Sequence, residues 1–181
     1  PPMALGRLYR SDPQQAIQLA ENYGRCSGNQ AKRCGLNWVL APVCDVNSNP
    51  DNPVINVRAW GEDPHTVGEL TGAFQRGLAA TGVLGCAKHF PGHGDTSTDS
   101  HLELPLLQHS RERLESLELQ PFRTLIQEGV SSVMTAHLLI PALDKQWPAT
   151  LSANVLTTLL RVDLGYKDIV GNQALVMADI A

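Results

Sequence analysis

The chain of 181 residues lacks several features that would have narrowed its role quickly. No apolar run approaches the roughly 20 residues that a membrane-crossing helix needs, so no membrane partner is expected. Lysine and arginine form no cluster and the net charge is −4 at pH 7, which gives a nucleic-acid partner little electrostatic support. The four cysteines (Cys26, Cys34, Cys44 and Cys86) include no CxxC pair. Zinc-ribbon spacing is therefore absent, a disulfide framework is disfavoured in a chain this long, and reduced, mostly buried thiols are expected. Neither GxGxxG nor GxxxxGK[ST] follows any apolar run, which removes the usual mark of a nucleotide-binding open sheet. No tandem repeat and no signal peptide are visible. The chain opens PPMALG without an initiator methionine, so it is expected to be a piece of something longer.

What is present is ordinary for a protein with a real core: 43% of the residues are hydrophobic. Four short runs, Leu36–Val43, Val83–Phe90, Val130–His137 and Asp168–Leu175, are too apolar to be half-exposed and read as buried strands. Helices with recognisable starts lie between them. Asp12-Pro13 caps a helix whose inward face is expected to be Ala16, Ile17, Ala20 and Tyr23, ending at Gly24. Asp63-Pro64 caps a second that buries Val67, Leu70, Phe74 and Leu78. A third starts near Ser110 and buries Leu114, Leu117 and Ile126, with Pro121 kinking or dividing it. Ser152 caps a fourth, with Val155, Leu156, Leu159 and Leu160 inward and Gly165 at its end.

Strand–helix alternation with short links implies βαβ units and a parallel sheet, either doubly wound or a (β/α)8 barrel. Polar residues gather where strands end: Asp45 and Asn47, Lys88 and His89, Thr135 and His137. Barrel active sites are built at that edge. The expected fold is therefore α/β, a TIM-type barrel. Four strands and 181 residues fall short of the about 250 a barrel takes, so the chain reads as one domain forming an incomplete central portion.

KHFPGHGDTSTDSHLELP, Lys88 to Pro105, carries three histidines and two aspartates directly after a buried strand. It admits three readings. His89, His93 and Asp95 are possible metal ligands, although Pro91, Gly92 and Gly94 exclude the helix that H-x3-H zinc sites use. An inert surface loop is the second. The third is acid–base chemistry. In an extended segment Asp99 and His101 project to one side, so the carboxylate can orient the imidazole and leave its other nitrogen to carry a proton. Gly92 and Gly94 would then let the loop swing over a ligand.

As a whole, K-H-F-P-G-H-G-D-T-S-T-D-S-H resembles the signature of glycoside hydrolase family 3, in its β-N-acetylglucosaminidase branch. GLNWVLAPVCDVNSNPDNPVINVRAWGEDP resembles the block before it, and SSVMTAHLLIPALD with PATLS the block after it. The resemblance implies a (β/α)8 barrel and a retaining hydrolase that releases terminal β-linked N-acetylglucosamine from cell-wall or chitin-type saccharides. It implies His101 as acid/base, Asp99 as its dyad partner, and Arg58, Lys88 and His89 as residues that hold the sugar. No metal or organic cofactor is implied, the partner is a small saccharide, and a cytoplasmic location is expected for a recycling enzyme of this branch.

One position departs from the pattern. VGNQALVM places Gln173 where the branch carries its nucleophilic aspartate, and a neutral amide is a poor nucleophile. A sugar-binding homologue without turnover is therefore the first alternative. A β-glucosidase is the second, and the histidine dyad argues against it. Arg58 has its own structural alternative, an ion pair with Glu62 or Asp63.

Overall fold

The computed structural model describes residues 1–97 and 104–172. Its centre is a parallel sheet in the order β1 (Cys86–Phe90), β2 (Ser132–Thr135), β3 (Ile169–Asn172). Cys86 faces Ser132 and Ser132 faces Ile169 across the two ladders. A fourth segment lies beside β1 as an irregular neighbour. Trp38 bridges to Leu84 and Val43 to Lys88, both parallel. The expected strand over Leu36–Val43 is thus reduced to isolated bridges. Pro42 has no N–H to give a ladder, and its carbonyl accepts from Lys88 N at 3.2 Å instead. The run is also less buried than its composition suggests, with Leu36 at 56% and Trp38 at 38% exposure.

All four segments follow one another in chain order with helices between them. Among the described strands there is no reversal of order, the switch point that marks a doubly wound sheet. The arrangement is a partial sheet of the barrel type.

The helices begin where their caps stand. α2 (Pro13–Arg33) starts with Gln15 N donating to Asp12 Oδ1 at 3.0 Å, and α3 (Pro64–Ala79) with Thr66 N donating to Asp63 Oδ2 at 2.8 Å. An additional helix, α1 (Pro2–Tyr9), precedes them. α2 does not end at Gly24. It runs on, and its buried face is Ala16, Ala20, Gly24, Gly28 and Ala31, while Tyr23 is 46% exposed. The reason is a very close crossing with α3: a methyl group on Gly24 would sit 2.0 Å from the Phe74 carbonyl oxygen. A glycine that resembles a stop signal is here a contact point.

The third helix is divided at Pro121, as its sequence suggests. A short turn, α4 (Arg111–Arg113), widens into a π-type segment over Leu114–Glu118, and α5 (Gln120–Gln127) follows. The widened turn rotates the inward face, so Leu114, Leu119, Phe122 and Leu125 are buried while Leu117 and Ile126 are only partly so. The fourth helix, Asn154–Asp163, is π-type. It is capped by Ser152, buries Val155, Leu159 and Leu160, and is followed by Gly165 at φ +71°.

Two hydrophobic clusters result. One packs β1 and β2 against α5 and Asn154–Asp163; the other joins α2 to α3 beneath Trp60. All four cysteines are free, with Cys44 and Cys86 buried but Cys26, on α2, and Cys34, just past its end, exposed, so burial holds for only half of them. Among the described residues, no helix is long and apolar enough to cross a membrane.

Candidate functional site

Beyond the end of β1 the chain turns around a single buried carboxylate. Asp45 has no exposed surface. The backbone N–H of His89 donates to its two oxygens at 3.1 and 3.2 Å, and the N–H of His93 donates to Oδ1 at 2.7 Å. The ring Nδ1 of His89 lies 2.8 Å from Oδ2. Burial opposes ionisation of Asp45, yet the field and hydrogen bonds of His89 and His93 carry its carboxyl below the ordinary value. Burial pushes the His89 imidazole down despite Asp45 beside it. The pair at neutral pH is a carboxylate and a neutral ring.

The first part of the histidine loop is fastened on the same side. Asn52 Nδ2 donates to the His93 carbonyl at 2.9 Å and to Thr96 Oγ1 at 3.2 Å, while His93 Nδ1 and Thr96 Oγ1 lie 2.7 Å apart. Gly94 lies against the backbone of Val46, where a methyl group would be 1.7 Å from the carbonyl oxygen. A methyl group on Gly92 would be 2.8 Å from the side-chain Cβ of Glu118, and the φ of +135° there also favours glycine. Both glycines are points of close approach in this structure. Past the loop, Leu107 N donates to Leu139 O at 2.9 Å and Leu139 N to Pro105 O at 3.0 Å, which secures the returning strand end.

Arg58 and Lys88 share a cavity of about 250 Å3 with Ala41, Pro42 and Trp60. Lys88 is half-buried; burial, then the Arg58 guanidinium, holds its ammonium below the usual lysine value. Arg58 ends a 3-10 turn, Asn56–Arg58, and its Nη1 donates to the Val54 carbonyl at 2.9 Å. The structural alternative for Arg58 is not formed. Glu62 pairs with Arg10 at 2.8 Å, and Asp63 is engaged as the cap of α3. A larger cavity, about 370 Å3, lies between α1 and the start of α3. Its acidic groups are those same two, so it offers no comparable set of free groups.

A second polar cluster sits on the outer side of the loop. Asp95 Oδ2 is 2.9 Å from His109 Nε2, an ion-pair contact without hydrogen-bond alignment, and 3.3 Å from Arg113 Nη2. Arg113 Nη2 also reaches Glu118 Oε1 at 3.0 Å. Asp95, His109 and Glu118 each offer a ligand atom within 4.8 Å of the others, so they are the group that could hold a cation. Arg113 already bridges the two carboxylates and supplies the neutralising charge there. Among the described residues His89, His93 and Asp95 do not form one group with ligand atoms within reach of each other. The Nδ1 atoms of His89 and His93 are engaged by Asp45 and Thr96, and Asp95 joins the outer cluster.

Of the residues singled out in the sequence, Arg58 and Lys88 line one cavity beside β1, while His89, the next residue of that strand, turns its ring to Asp45. Asp99, His101 and Gln173 lie outside the described residues. The sequence by itself assigns Asp45 no role beyond a polar residue at a strand end. Its signal was an aspartate directly after an apolar run, but nothing in one dimension shows that it reaches a histidine 44 positions on.

The sequence pattern described as "Glycosyl hydrolase family 3 N terminal domain" matches residues 1–181. Beta-hexosaminidase A of Pseudoalteromonas piscicida is 40% identical over 99% of this chain and 31% of its own length. Among solved structures, a glycoside hydrolase family 3 beta-N-acetylglucosaminidase from Paenibacillus sp. str. FPU-7 superposes with a TM-score of 0.89 at 46% identity, over 94% of this chain and 32% of that one. NagZ from Neisseria gonorrhoeae, in complex with N-trifluoroacetyl-D-glucosamine, superposes with a TM-score of 0.88 at 36% identity, over 93% of this chain and 50% of that one. The chain thus spans about a third to a half of the length of these relatives. It belongs to glycosyl hydrolase family 3, and its residues lie in the N-terminal domain of that family.

Proposed function

We propose that the chain forms a central part of a (β/α)8 barrel of a retaining β-N-acetylglucosaminidase, acting on terminal β-linked N-acetylglucosamine of cell-wall or chitin-type saccharides. The carrying observation is the meeting of Arg58 and Lys88 in one cavity beside β1, with His89 the next residue of that strand. Two cations and an imidazole suit a ring of hydroxyls, because together they offer donors and an acceptor in fixed places. The names of the relatives support the same substrate class.

In this reading His101 protonates the leaving oxygen and then deprotonates the attacking water, while Asp99 orients its ring and steadies the imidazolium. A carboxylate is needed on the other face of the sugar, and in the sequence pattern of the family that place falls on Gln173. The test is hydrolysis of an aryl β-N-acetylglucosaminide by the whole protein, with His101→Ala beside it. Turnover by His101→Ala at the normal rate would remove that residue from its role.

Gln173 is the specific observation that favours a second reading, a sugar-binding homologue without turnover. Calorimetry with N-acetylglucosamine separates the two. Binding without hydrolysis, with hydrolysis restored by Gln173→Asp, selects the second.

A further inference from the structure

We propose that Asp45 sets the hydrogen-bond polarity of the sugar site: it holds His89 as the Nδ1–H tautomer, so that Nε2 only accepts and the ligand must donate a hydroxyl proton to it. The assignment of the donor as a sugar hydroxyl rests on the saccharide reading above; the tautomer does not.

The argument begins with what a carboxylate can do. Ionised, it accepts and never donates, so a ring nitrogen 2.8 Å from Asp45 Oδ2 must carry the proton. The carboxylate cannot turn away to suit another state, because the N–H groups of His89 and His93 hold both oxygens from the backbone. It is fully buried, so no water competes for the ring. A neutral imidazole with its proton on Nδ1 presents a bare lone pair at Nε2, and among the described residues that atom has no hydrogen-bond partner.

The neighbours are of the opposite kind. Lys88 and Arg58 are donors only. Both line the cavity beside β1, so on the saccharide reading the site combines two donor-only groups with one acceptor-only group, and a ligand must supply acceptors and at least one donor. A hydroxyl does both. A fluorine in its place accepts weakly and donates nothing, so it satisfies the cations and fails at His89. A carboxylate exchanged for an amide reverses this, because an Asn NH2 facing Nδ1 donates to it and drives the proton to Nε2. That is how an amide beneath a protease histidine enforces the wrong tautomer.

The experiment uses the whole protein with 15N-labelled histidine. Two-bond proton–nitrogen spectra assign the His89 tautomer in the wild type and in Asp45→Asn. The expected results are Nδ1–H in the wild type and Nε2–H in the variant. An Nε2–H ring in the wild type overturns the proposal, and if Asp45→Asn does not fold, this spectrum alone decides.

The second arm is calorimetry with N-acetylglucosamine and its monofluoro analogues at the ring hydroxyls. Replacing the one hydroxyl that meets His89 should weaken wild-type binding about tenfold. The same replacement in Asp45→Asn should change affinity less than about threefold, because the reversed ring no longer needs a donor. Equal ratios in the two proteins at every hydroxyl overturn the proposal. No binding of any saccharide, together with an Nδ1–H ring, would remove the saccharide reading and leave the tautomer assignment standing.

Discussion

Two carboxylate–histidine clusters fasten the histidine loop, and they are built in opposite ways. Around Asp45 one fully buried carboxylate serves three donors, all from the His89–His93 segment, with no arginine among its hydrogen-bond partners. Around Asp95 two carboxylates share Arg113, which is 35% exposed, and a histidine that touches without a well-aligned bond. The first cluster has one acceptor and no substitute. The second has redundant charge, with a partly exposed arginine between a buried and a partly exposed carboxylate. Composition alone would rank them equally, but burial makes the first an organising centre and the second a clasp between the loop and the α4 turn.

That contrast can be tested by substitutions, the largest effects first. Asp45→Ala leaves two backbone N–H groups and the ring N–H unpartnered in the interior, and should cost about 4 kcal/mol in denaturant unfolding. A loss below about 1 kcal/mol would mean that water can enter and that the cluster organises nothing. Gly94→Ala should cost about 3 kcal/mol, because the added methyl meets Val46 backbone and not a movable side chain. At the outer clasp, Arg113→Ala strands a Glu118 side chain that is 2% exposed, and about 2 kcal/mol is expected. If that loss matched the loss at Asp45, the two clusters would be equivalent after all.

The acid response sharpens the same comparison. Both Asp45 and His89 titrate below their ordinary values. Below about pH 6.5 the unfolded chain takes up a proton at this histidine that the folded site resists, so stability falls as the pH drops. The Asp45 contribution is present above its unfolded value near 4 and is lost as the pH falls through the lower folded one. Titration of unfolding free energy should show His89→Gln flattening the slope that begins near pH 6.5. The smallest effect is a control. Removing the exposed Arg10–Glu62 pair by Arg10→Ala should change stability by less than about 0.5 kcal/mol.

Much of the fold could be read from the chain because its signals are local. Asp12-Pro13, Asp63-Pro64 and Ser152 cap helices where they stand, and Pro121 divides the helix it interrupts. The failures share a cause. Gly24 was assigned as an end from its residue type, but its role depends on the Phe74 carbonyl that crosses there. The inward face of the divided helix shifted because a widened turn, invisible in a 3.6-residue period, lies just before Pro121. Of the site, Arg58, Lys88 and His89 are candidates that a motif singles out, while Asp45 is not, because its partners are 44 and 48 positions away.

By itself the sequence determined that strands and helices alternate, where the helices start, and that polar side chains collect at one edge of a parallel sheet. Those follow from caps, proline and periodicity, which act within a few residues. Tertiary structure alone decided which carboxylate is buried, which nitrogen of His89 carries the proton, and which glycines are contact points. Each of these depends on how close two distant segments come, and distance in the folded molecule is what a single chain of letters does not contain.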